Sequence, residues 1–177
     1  MRAIKKTDVV GARIVDIHET SEPSEGLDNR VIYFTVDRGF TFITPFAGQP
    51  WYTVEVPTEA ARLEDVIVQP VFAVKKGWSG RMRFKPLPPE TSDIVRQIKQ
   101  KVVAGVYCGP FDQTLDFYHP DDGTIVFEDG SQASNNMVAP QGTGGAGLCF
   151  RTDSLHCTPL DQMVDYFSIP VGKKPRP

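Results

Sequence analysis

Hydrophobic positions along this chain fall in short, β-length runs separated by polar and Gly- or Pro-containing stretches. One arrangement of these runs occurs twice, about 90 residues apart. In the first copy, Ile14-x-x-Ile17 leads through a polar loop to Val31-Ile32-Tyr33-Phe34-Thr35-Val36, then Asp37-Arg38-Gly39, then Phe40-Thr41-Phe42-Ile43. In the second, Val103-x-x-Val106 leads through another polar loop to Thr124-Ile125-Val126-Phe127-Glu128, then Asp129-Gly130, then a run ending at Val138. Each copy reads as a strand followed by a hairpin, with an acidic residue and a glycine at the turn. The pattern predicts an α+β, strand-dominated fold: antiparallel sheet built from two related strand–hairpin units, with a few short helices packed on it.

The finer periodicity places the elements. Val9–His18 alternates loosely and predicts a strand, and Glu19–Asn29 is a polar connection too long for a tight hairpin. Apolar residues on both faces of Val31–Val36 predict a central strand covered on both sides. Strands follow at Trp51–Val56, Val66–Val74 (interrupted by Pro70) and Arg81–Phe84, with one or two helical turns at Thr58–Glu64. Thr91-Ser92-Asp93 offers caps for a helix with Ile94, Val95 and Ile98 on one face, and Val102–Cys108 returns to β character. Asp129-Gly130 between two extended runs predicts a type I′ hairpin. Leu148–Arg151 predicts a short strand. Pro159–Phe167 predicts a helix with Leu160, Met163, Val164 and Phe167 on one stripe. Leu87-Pro88-Pro89-Glu90 interrupts regular structure, which divides the chain into β-rich halves at 1–87 and 88–170 and a frayed tail at 171–177.

Composition narrows the class. With 177 residues, 40% hydrophobic and 23% charged, the chain can bury one good core or two small lobes sharing one. No apolar run is long enough to span a bilayer, and no apolar segment follows the basic N-terminus as a secretory signal would require. Three cysteines at irregular spacing make a disulfide framework improbable, so the expected compartment is the cytoplasm. A net charge of −3 argues against nucleic acid as a partner. The charge is uneven. From Lys101 onward the cations are Lys101, Arg151, Lys173, Lys174 and Arg176, against Asp112, Asp116, Asp121, Asp122, Glu128, Asp129, Asp153, Asp161 and Asp165. The plainer reading of this excess is a solvated face; the sharper one is an acidic surface that steers a basic partner toward it.

Candidate chemistry is sparse. Gly142, Gly144 and Gly147 form a G-x-G-x-x-G, but Pro140 precedes it, a β-prone run follows it, and no βαβ unit surrounds it. The loop is read instead as a close backbone connection that could present N–H groups to a partner. Cys149, His156 and Cys157, with Cys108 and His119, lack the paired spacing of a zinc site, so no metal and no cofactor is expected. His119 with Cys149, Cys157 or a nearby Asp could form a nucleophilic or acid–base pair, although Tyr118–Gly123 reads first as a turn. Trp78, on a Lys-Lys-Gly-Trp-Ser-Gly turn, is the ring with the strongest claim to exposure.

These features favour a non-catalytic cytosolic protein-binding module, immunity- or adaptor-like, that caps a basic protein partner; homo-oligomers are compatible with it. The expected contact residues are Asp121, Asp122, Glu128, Asp129, Gly142, Thr143, Gly144 and Trp78. Alternatives are a small hydrolase or transferase using His119 with a Cys or Asp, and a small-ligand binder in the space between the halves.

Overall fold

The structure is a computed structural model. It describes residues 2–3, 5–21, 31–38, 40–43, 52–54, 67–68, 82–86, 89, 92–109, 111–112, 117–118, 124–137, 146–153, 155 and 157–169. The strands are β1 (Arg2–Ala3), β2 (Ile14–Ser21), β3 (Val31–Val36), β4 (Phe40–Ile43), β5 (Tyr52–Val54), β6 (Ile67–Val68), β7 (Met82–Pro86), β8 (Val103–Cys108), β9 (Phe111–Asp112), β10 (Phe117–Tyr118), β11 (Thr124–Phe127), β12 (Gln132–Met137), β13 (Ala146–Arg151) and β14 (Val164–Asp165). Two short helices, α1 (Lys6–Val9) and α2 (Ser92–Ile98), precede β2 and β8. The fold is therefore strand-rich α+β, and every named pairing is antiparallel.

Two principal sheets form, each from one side of Pro88-Pro89. The first runs β1-β5-β4-β3-β2-β7-β6 and the second β13-β12-β11-β8-β14. β3 lies between β2 and β4, the central position expected of it within the sheet. The i, i+3 apolar spacing noted in the sequence has a physical cause. Ile14 pairs with Val36 and Asp16 with Thr35, so Val15 is the extra residue of a β-bulge. Val103 pairs with Phe127 and Gly105 with Val126, which makes Ala104 the extra residue in the second sheet. Inserting one residue shifts the inward side chain from i+2 to i+3. Hence Ile14, Ile17, Val103 and Val106 are all buried, while Val15 remains 42% exposed.

The two sheets meet at a joint made by the segments that lead into β2 and β8. Arg13 forms an antiparallel bridge with Val102. The Ile14 and Val103 amides donate to the Lys101 and Ala12 carbonyls, both at 2.9 Å. The Gly11 and Gln100 amides donate to the Val103 and Ile14 carbonyls, both at 2.8 Å. Each bond on one side thus has a counterpart on the other. Gly11 and Gln100, which turn the chain from helix into strand, both have positive φ, at 76° and 73°. Beneath the joint lies one shared core containing Val9, Ala12, Ile14, Ile17, Phe34 and Val36 from the first half. From the second half it takes Ile98, Val103, Val106, Ile125, Phe127 and Tyr166.

Three local expectations are corrected. The stretch predicted as a strand from Val9 is helical at Lys6–Val9, where the Asp8 carboxylate accepts the Lys5 N–H at 2.8 Å, and extends only from Ile14. The helix predicted at Pro159–Phe167 is instead two 3₁₀ turns, Leu160–Gln162 and Tyr166–Ser168, separated by β14. The exposed edge of β8 recruits Val164 opposite Cys108, and Asp165 caps the second turn by accepting the Phe167 N–H. At the β11–β12 turn, Gly130 has φ of 82° but Asp129 does not have a positive φ, so the turn is not type I′. The Gly130 amide donates to the Phe127 carbonyl and the Phe127 amide to Ser131, which defines a three-residue loop closed by a left-handed glycine. Among the described residues, no helix is long and apolar enough to cross a membrane.

Candidate functional site

Of the residues singled out from sequence, Trp78, His119, Asp121, Asp122, Gly142, Thr143, Gly144 and His156 lie outside the described residues, as does the segment 171–177. Gly147, the last glycine of the G-x-G-x-x-G, lies within β13 opposite Asn136. It does not open a helix, so the motif lacks the helix N-terminus that a dinucleotide pyrophosphate needs.

Glu128 and Asp129 stand at the exposed tip of the β11–β12 hairpin. The Glu128 amide donates to Val102 of the joint at 3.0 Å. The Asp129 carboxylate is engaged within its own turn. Oδ1 accepts the Ser131 hydroxyl at 2.6 Å and the Ser131 amide at 3.1 Å, while Oδ2 pairs with the Lys101 ammonium. Lys101, first among these partners, and then Ser131 hold the Asp129 carboxyl at about 2, below the ordinary 3.8 and against a small opposing effect of burial. The Lys101 ammonium also lies 5.4 Å from the Phe150 ring centre, and Phe150 meets Phe127 edge-on at 6.3 Å. This network anchors the hairpin tip to the core through charge and aromatic contact. Glu128 is left as the carboxylate presented outward at the tip.

Beside this hairpin lies a loop whose importance sequence pattern did not reveal. The buried Gln132 side chain forms two bonds with the backbone of Thr158: its Nε2 donates to the carbonyl at 2.8 Å, and its Oε1 accepts the amide at 2.9 Å. The amide thus imitates a strand partner and pins the loop to β12. Between the pin and β13, the Cys157 amide donates to the Asp153 carbonyl at 3.1 Å, and the Asp153 carboxylate accepts the Leu155 amide at 3.1 Å. These bonds close a tight turn on Asp153. Leu155 lies on that turn and is 90% exposed, and Leu160, just beyond the pin, is 52% exposed. Asp153 and Asp161 are exposed beside them. The signal in the sequence was a lone leucine in the polar run Thr152-Asp153-Ser154-Leu155-His156, with no apolar partner at strand or helix spacing.

Cys108, Cys149 and Cys157 are all thiols, the first buried and the others half-buried. Burial, and then the Asp153 carboxylate, push the Cys157 thiol upward, which disfavours the nucleophilic thiolate. Its Sγ lies against the Arg151 and Gly130 carbonyls, and the Arg151 charge offsets only part of the upward push. Among the described residues, no group of three His, Cys, Asp or Glu side chains could hold a metal ion. Comparison with known proteins gives no match to a family model, a curated protein or a solved structure.

Proposed function

We propose that the chain is a non-catalytic protein-binding module, immunity- or adaptor-like, that meets a basic protein partner with the acidic surface of its second half. The observation that carries this reading is Leu155, 90% exposed on a turn that hydrogen bonds hold in shape. Leaving a leucine in water forfeits about 1.5–3 kcal/mol of burial free energy, which a partner recovers on docking. Hydrogen bonds from Gln132 and Asp153 already hold the backbone of Thr158 and Leu155, which lowers the ordering cost of docking at those residues. Asp153 and Asp161 flank the leucines, so a complementary surface would be an apolar pocket rimmed by Lys or Arg. Glu128 and the expected contacts Asp121, Asp122, Gly142, Thr143, Gly144 and Trp78 extend the same proposal beyond the loop.

The test compares wild type with a Leu155→Asp/Leu160→Asp variant as immobilised baits, in about 50 mM and about 150 mM salt. Circular dichroism first establishes that the variant folds. Support is a protein retained by wild type, weakened by salt, and bound at least about tenfold less tightly by the variant, as loss of one buried leucine implies. Capture indifferent to both salt and substitution overturns the proposal, and so does no capture in either salt.

The two strand–hairpin units are also read as copies of one element. The sheets support this by their common order, in which β5-β4-β3-β2-β7 corresponds to β13-β12-β11-β8-β14. Further support comes from the preceding helix, the left-handed residue at Gly11 and Gln100, and the bulge at Val15 and Ala104.

A further inference from the structure

We propose that the outer edge of β13 is a docking site for an extended, basic segment of a protein partner, which joins the second sheet as a further antiparallel strand. The proposal rests on the protein-binding reading above and supplies its mode of contact. Each principal sheet ends in two edge strands. Three of the four, β1, β6 and β14, are two residues long. Such brevity keeps unpaired backbone from templating other chains. β13 is the exception: Ala146–Arg151 spans six residues, pairs with β12 without a bulge, and contains neither Pro nor Lys. Among the described residues, no strand lies on its outer side.

The strand registers indicate what this edge accepts. A row Ile17-Phe34-Phe42-Thr53 crosses the first sheet, and Val106-Ile125-Ala133-Phe150 holds the corresponding places in the second. The first row continues to Arg2 of β1, antiparallel to Thr53, within the basic run Met1-Arg2-Ala3-Ile4-Lys5-Lys6. Among the described residues, the second row stops at Phe150. The backbone of β13 is oriented for the same addition. The Phe127 amide donates to the Ser131 carbonyl, and the Phe127 carbonyl accepts the Gly130 amide, so Phe127 and, two residues earlier, Ile125 face β12. Alternation then turns Gln132 and Ser134 toward Arg151 and Cys149, and it aims the N–H and C=O groups of Leu148 and Phe150 away from β12. An added strand pairs with those groups. Because it runs antiparallel, its N-terminal residues lie at the Arg151 end, from which the chain continues to exposed Asp153 and Leu155. Lys or Arg there meets the Asp153 carboxylate, and an apolar residue before it reaches Leu155, so edge and turn form one surface.

The test measures amide hydrogen exchange by NMR in the full, isotopically labelled chain. The probe is a synthetic, end-blocked peptide, Val-Lys-Val-Arg-Val-Lys, with Val-Glu-Val-Glu-Val-Glu as its acidic control. In the free chain, the outward Leu148 and Phe150 amides should exchange at least about tenfold faster than the inward Cys149 and Arg151 amides. With basic peptide at about nine times its Kd, occupancy of about 90% should slow exchange at Leu148 and Phe150 about tenfold and leave Cys149 and Arg151 unchanged. Leu148→Pro, shown by circular dichroism to fold, removes one outward donor and keeps the ladder to β12, so it should weaken peptide binding about fivefold. Leu148 and Phe150 amides already protected in the free chain, whether by its own residues or by a second copy, overturn the proposal. So does unchanged exchange at about 5 mM peptide, equal slowing by the acidic control, or undiminished binding to Leu148→Pro. If the bait experiment captures a partner while exchange does not move, edge docking alone fails. If exchange slows while the bait captures nothing, the Leu155 reading fails and the edge stands as a strand acceptor.

Discussion

Replacing Gln100 by glycine should stabilise the protein, although it deletes a side chain. Gln100 has φ of 73°, a left-handed conformation that costs a residue with a Cβ about 1–2 kcal/mol. Its side chain is exposed, and its contributions to the joint come from the backbone: the amide donates to Ile14, and the carbonyl accepts from the Arg13 guanidinium. Glycine keeps both bonds and removes the steric cost, while adding about 0.5–1 kcal/mol of unfolded-state entropy. The net expectation for Gln100→Gly is a gain of about 0.5–1 kcal/mol, which for a chain of this length raises Tm by about 1–4 °C. Gly11, at the corresponding place on the other side of the joint with φ of 76°, gives the opposite sign. A Cβ there would lie 3.4 Å from the Arg38 guanidinium and would incur the left-handed cost, so Gly11→Ala should lose about 1 kcal/mol. Urea denaturation at constant m-value, with calorimetry as a check, separates the two outcomes. A Gln100→Gly protein less stable than wild type would show that the joint does not impose this backbone conformation, and the argument from reciprocal geometry would fail with it.

Two further substitutions probe the elements around the candidate loop. Asp129 is held at about 2 instead of 3.8, so it contributes stability above about pH 4 that is lost as pH falls toward 2. Since its side chain is 54% exposed, solvent screening reduces that contribution to about 0.5–1 kcal/mol. Asp129→Asn should therefore be less stable than wild type at pH 7 and converge on it near pH 2, as read from paired urea midpoints; a constant difference across that window would contradict the assignment. Gln132→Leu removes both bonds to Thr158 and leaves a half-buried amide and carbonyl without their partners, for a loss of about 1–3 kcal/mol. Hydrogen exchange should accelerate at Thr158 and Cys157 more than at Ile125 in the core. Uniform acceleration throughout would show that Gln132 is not a local pin.

The runs at Val31–Val36 and Phe40–Ile43, the helix at Ser92–Ile98 and the turn at Asp129-Gly130 were legible in the sequence because their causes are local. Side-chain period selects strand or helix, and glycine marks a backbone that only it adopts cheaply. The repeated i, i+3 spacing was visible too, but its meaning was not, because a bulge exists only relative to a partner strand. Tertiary structure alone decided that Val9 ends a helix, that Val164-Asp165 pairs with β8, and that Gln100 takes a left-handed conformation. Those outcomes depend on distant groups: the open edge of Val103–Cys108 and the backbone at Ala12–Ile14. The same holds for the candidate site. Carboxylates at the hairpin tip could be named from their spacing, whereas Leu155 became conspicuous only once Gln132 was seen to fasten its loop from 26 residues away. Hydrogen bonds between groups so far apart leave no periodic trace in a sequence, because folding, not spacing, brings their partners together.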